Sequence, residues 1–82
     1  PYYLYSLARD KFLQEDYAGA LADIQAAISH FDKEHRFYFL QGVIYKALGR
    51  QEKANTSFTR ALDLTYNQKQ LNRYLSKMEK LI

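Results

Sequence analysis

Apolar residues return every three or four positions along most of the chain, the spacing of one face of an α-helix. The first stripe is Tyr3, Leu4, Leu7, Ala8 and Phe12, and it fades near Gln14. Asp16 stands where a side chain can cap the next helix. That helix carries Tyr17, Ala20, Leu21, Ile24, Ala27 and Ile28. Gly19 inside it costs about 1 kcal/mol relative to Ala. Asp32 is the next expected N-cap. Phe37, Tyr38, Leu40, Ile44, Tyr45 and Leu48 follow it, up to Gly49, a residue suited to ending a helix. A fourth helix is expected from about Gln51 to Leu64, with Ala54, Phe58, Ala61 and Leu62 on one face. Asn67 and Gln70 form a variant capping box that predicts a fifth helix, striped by Leu71, Tyr74, Leu75 and Met78. The pattern predicts an all-α chain of five helices.

The second pair of helices repeats the first after 34 residues. Ala20 becomes Ala54, Ala27 becomes Ala61, and Ala8 becomes Gly42. Ile24 becomes Phe58, Ile28 becomes Leu62, Leu4 becomes Tyr38, and Tyr3 becomes Phe37. Small residues recur where two helices must come close, and large ones recur a turn away. A helical hairpin of this length cannot bury its apolar face alone, so it stacks on a neighbour.

These positions resemble the tetratricopeptide repeat family, whose pattern is W-x2-L-G-x2-Y, then A-x3-F, then a closing Pro. The second unit matches through Tyr38, Gly42, Tyr45, Ala54, Phe58 and Ala61, with Gln41 in place of Leu and Tyr66 in place of Pro. The first unit reads Leu4, Leu7, Ala8, Lys11, Ala20, Ile24 and Ala27. It departs at Lys11, and Glu15 stands where the second unit has Gly49. The resemblance implies one domain: a degenerate repeat over 1–34, a second over 35–66, and a capping helix over 67–82. It implies a right-handed superhelical stack, a fragment of an α-solenoid. Gln68, Lys69, Asn72, Lys77, Glu79 and Lys80 fit the polar side of the capping helix. Such a piece is expected at the C-terminal end of its parent. Two repeats and a cap are few, so upstream repeats or a second copy are expected neighbours.

At about 100° per residue, Tyr2, Tyr5, Arg9 and Phe12 lie on a different face of the first helix from Leu4, Leu7 and Ala8. The residues 34 positions on are Arg36, Phe39, Val43 and Lys46, and then come Gln70, Arg73, Lys77 and Lys80. The resemblance implies that these faces line a concave groove that binds peptides, aromatic at one end and cationic at the other. A stripe of exposed Tyr and Phe calls for a reason. Contact with another protein is one; covering core edges or packing on an upstream repeat is the other. The candidate binding residues are Tyr2, Tyr5, Arg9, Phe12, Arg36, Phe39, Val43, Lys46, Arg73 and Lys77. Arg73 and Lys77 match by charge the last two positions of the family's carboxylate clamp, whereas Tyr5, Arg9 and Val43 depart from it.

Composition narrows the rest. The chain has 82 residues, 48% hydrophobic, with eight Tyr and five Phe, too apolar for a disordered tail. Three Gly and one Pro are too few for a turn-rich β-sandwich. The absence of Cys removes disulfides and thiolate metal sites. No apolar run approaches the ~20 residues of a membrane span, and no leader is visible. The chain opens on Pro1, so it reads as a piece of a longer protein, with the cytoplasm the expected compartment. Charge is uneven: net −3 over 1–34, +3 over 35–66 and +3 over 67–82. Ordinary solvated surface explains this; so does head-to-tail self-association, or a partner that is acidic or bound through its C-terminal carboxylate. The overall charge of +3 is modest and spread over several helices, and no nucleic-acid motif is present, so nucleic acid is not the expected partner. His30, Asp32, Glu34 and His35 crowd one turn without the spacing of helical metal ligands, and no metal is expected there. No Gly-rich phosphate loop appears, and Ser6, Ser29, Ser57 and Ser76 lack His and acid at motif spacing. The expectation is an interaction module without catalysis or cofactor, or else the structural end of a longer solenoid.

Overall fold

The computed structural model describes the backbone of residues 1–81 and the side chains of residues 1–66. It is all-helical, with no strand among the described residues: α1 Tyr2–Leu13, α2 Tyr17–His30, α3 His35–Ala47 and α4 Gln51–Leu81. Each helix packs on the next one in the chain, and α1 also touches α3. No helix among the described residues is long and apolar enough to cross a membrane.

The first turn is set by Asp16, whose carboxylate accepts from the Gly19 N–H at 3.0 Å. A Cβ on Gly19 would fall on that carboxylate, so the bare glycine leaves room for the cap. Gly49 ends α3 at φ +76°, and Glu15 ends α1 with nearly the same backbone at φ 64°. Both turns therefore use a left-handed residue, one with a Cβ and one without. The N-cap of α3 is Glu34 rather than Asp32, because its carboxylate accepts from the Arg36 N–H. Phe31 is extended at φ −150°, and the Asp32 carbonyl instead accepts from the Tyr38 hydroxyl at 2.9 Å.

The described residues form four helices, not five. α4 runs without interruption through Asn67. Around Tyr66 the chain has neither the Gly that ends α3 nor the Pro that would block continuation. Thr65 bonds its hydroxyl back to the Ala61 carbonyl one turn earlier, a contact that a continuing helix accommodates.

Ala8, Ala20, Ile24, Ala27, Phe37, Leu40 and Ile44 form the core, with Leu4, Tyr5, Phe12, Tyr17, Leu21, Ile28 and Leu48 packed on it. Small residues mark the close approaches: Ala8, Ala20, Ala27 and Ala54 are wholly buried. At Gly42 the approach leaves no room for a side chain, since a Cβ there would lie 2.6 Å from the Phe58 ring. Two stripe residues are exposed. Tyr3 is 75% exposed and Leu62 is 70% exposed, although Phe37 and Ile28, 34 positions away from each, are covered. The reason is position: α1 and α4 are the outer helices of the packed set, so each has an uncovered side.

Candidate functional site

The side chains at the α1–α3 junction form a polar clasp. The Tyr2 hydroxyl donates to Glu34 Oε2 at 2.9 Å, and Arg36 Nε–H donates to Glu34 Oε1 at 3.0 Å. His35 Nδ1 stands 3.4 Å from the same Oε1. The Arg36 guanidinium also lies over the Tyr2 ring, 5.3 Å from its centroid. Its hydrogen bond to the carboxylate is the largest influence holding the Glu34 pKa down at about 2, against the opposing effect of burial. Glu34 is thus an anion under ordinary conditions, and Arg36 is a paired cation rather than a free one.

Beside this clasp lies an open apolar cavity of about 500 Å³. Tyr5, His35, Arg36 and Phe39 line one side, and Phe58, Ala61, Leu62 and Thr65 of α4 line the other. The Phe39 and Phe58 rings sit 5.5 Å apart and form its floor. Six of these eight residues are 34 positions beyond Tyr2, Tyr5, Ile24, Ala27, Ile28 and Phe31. Within that earlier set, Tyr2 and Tyr5 hold the Phe37 ring at 5.6 and 5.5 Å, and Ile24 and Ala27 share its core. The cavity therefore repeats on α3 and α4 the seat that α1 and α2 provide for Phe37.

The sequence-derived candidates divide accordingly. Tyr5, Arg36 and Phe39 meet at the cavity. Tyr2 belongs to the clasp, and Phe12 packs on Tyr17 at 5.4 Å, tying α1 to α2. Arg9 and Lys46 are exposed and Val43 is half-buried, all three away from the cavity lining. Arg73 and Lys77 lie outside the residues whose side chains are described. His35, Phe58, Ala61, Leu62 and Thr65 were not among the candidates, yet they are five of the eight lining residues. The 34-residue spacing from Ile24, Ala27 and Ile28 is the signal that points to Phe58, Ala61 and Leu62.

Ser57 Oγ lies 3.0 Å from both Gln41 Oε1 and the Lys53 carbonyl. Gln41, the departure from Leu in the second unit, thereby finds a partner across the hairpin. Among the described residues no three His, Asp or Glu side chains converge to hold a metal ion. The chain matches no model of a known protein family, and no curated protein matches it.

Proposed function

We propose that this chain is a tetratricopeptide-like interaction module: a right-handed stack of helical hairpins that binds a helical segment of a protein and performs no catalysis. The observation that carries this reading is the apolar cavity, lined like the seat of Phe37 and open to solvent. Its lining is suited to one large apolar side chain presented by a helix, as α3 presents Phe37. Tyr5 and Phe39 supply aromatic area at low rotamer cost, which favours binding hot spots. Arg9 and Lys46 are exposed on α1 and α3 but lie away from the cavity lining, so the cavity itself selects for an apolar side chain.

A peptide with the α3 sequence, residues 35–47, is a direct probe because it carries a Phe on the required helical face. Titrated into the labelled protein, it is expected to shift the resonances of Phe39, Phe58 and Leu62, and Leu62→Asp should abolish those shifts. A peptide with Ala in place of Phe37 should bind about 30-fold more weakly, the size of a hot-spot loss. Equal binding of both peptides, or none of either, would overturn the reading.

A further inference from the structure

Three residues of α3 enter the first hairpin together. Phe37, Leu40 and Ile44 are all buried, at positions i, i+3 and i+7 of one helical face. Adding 34 to each number gives Leu71, Tyr74 and Met78, again three apolar residues at the same spacing. Subtracting 34 gives Tyr3, Ser6 and Asp10, of which two are polar and all are exposed. The sequence thus carries one further copy of the docking face, and it lies in 67–81, the C-terminal half of α4.

That face cannot reach its own cavity along a continuous helix. Ala61, Leu62 and Thr65 of α4 are themselves part of the cavity wall, and the helix continues from them without a break. At 1.5 Å per residue the 31 residues of α4 span about 46 Å, against about 20 Å for the 13 residues of α3. The distal half therefore runs past the hairpin instead of folding back across it.

Resting on the interaction reading above, we infer that the partner is a second copy of this chain. Residues 67–81 of each copy lay their Leu71–Tyr74–Met78 face into the other's Phe39–Phe58–Leu62 cavity. The exchange is reciprocal, so the two contacts are identical and close a two-fold dimer, the usual symmetry of a swapped element. An aromatic side chain alone buries about 150–250 Å². Two such contacts, each joining Tyr74, Leu71 and Met78 to Phe39, Phe58 and Leu62, reach the scale of the roughly 1,600 Å² of a standard specific interface. At the cavity lining charge offers little opposition to the exchange. The tail is cationic through Lys69, Arg73 and Lys77, but Arg36, the cation lining the cavity, is already paired with Glu34.

Sedimentation velocity of the full 82-residue chain across a concentration series tests the exchange. A reversible dimer is expected. Leu71→Asp with Met78→Asp, and separately Leu62→Asp, should each weaken it by about 30-fold or more, with helix content kept because the core lies in residues 8–44. Mixing these two variants should restore a heterodimer, since one intact face then meets one intact cavity. Replacing Tyr66 and Asn67 by Gly should loosen the helix there, let the tail turn back on its own copy, and convert the dimer to monomer. A wild-type monomer, or a dimer indifferent to both sets of substitutions, would overturn the exchange. If the wild type is monomeric while the 35–47 peptide still binds, the interaction reading stands and only the choice of partner falls.

Discussion

The hairpins α1–α2 and α3–α4 place their residues alike but solve the same contacts with different chemistry. Ala8 and Ile24 share the core of the first hairpin, whereas at the equivalent positions the second sets Gly42 against the Phe58 ring. Where the first joins its helices by the Lys11–Asp23 ion pair at 2.8 Å, the second uses Ser57 with Gln41. The larger difference is what covers them. The first hairpin receives Phe37, Leu40 and Ile44 from α3, and its apolar stripe becomes core. The second leaves Phe39 58% exposed and Leu62 70% exposed. An apolar stripe on a helical hairpin is thus core or exposed surface according to what packs on it, and its own sequence does not distinguish the two.

The sharpest way to break this comparison is to empty the filled seat. Phe37→Ala should cost about 3–5 kcal/mol in denaturant unfolding. Phe39→Ala, acting on the exposed counterpart, should cost under about 1 kcal/mol. Similar losses at the two positions would mean the cavity is not open in solution. Next in size is Gly42→Ala, which drives a methyl into the Phe58 ring and should cost about 1–3 kcal/mol. Combining it with Phe58→Ile rebuilds the Ala8–Ile24 pairing, and the double variant should be more stable than the sum of the single changes predicts. Perfect additivity would mean the two pairings are unrelated.

Glu15 and Gly49 offer a finer test, because they share a left-handed backbone. Glu15→Gly should raise stability by about 1 kcal/mol by relieving the Cβ of that conformation. Gly49→Ala should lower it by a similar amount. The smallest effect is at the clasp. Glu34 has a folded pKa of about 2 against an unfolded value near 4.5, so its stabilising contribution is complete above the unfolded value. It is lost as pH falls from about 4.5 through 2. Arg36 is half exposed, which limits the contribution to roughly 0.5–1 kcal/mol. Thermal melts should show this part of the acid sensitivity in the wild type and not in Glu34→Gln.

The sequence makes α1, α2 and α3 legible because their stops are chemical: the Asp16 cap, the left-handed Gly49 and the apolar period between them. The end of α4 is not legible in the same way. Asn67 and Gln70 are a start signal, but a start signal does not break a helix already in progress, and Tyr66 supplies no stop. The cap of α3 falls on Glu34 because two acids two residues apart are equivalent on paper, and the extended turn at Phe31 chooses between them. At the cavity, a helical wheel on α1 and α3 finds Tyr5, Arg36 and Phe39. It passes over Phe58 and Leu62, whose stripe reads as core unless one asks which helix would cover it.

The order in which the helices pack also sets how the molecule opens. α2 is held between α1 and α3, and α3 is held by its neighbours on both sides, whereas α4 rests on α3 alone among the described residues. Fewer packed faces mean a lower free energy of local opening. Amide protons of α4 should therefore exchange with solvent through a partial opening that leaves α1, α2 and α3 intact. Those of α2 and α3 should wait for the whole chain to unfold. A helix that can detach while its support stays folded is also the one able to exchange one set of neighbours for another.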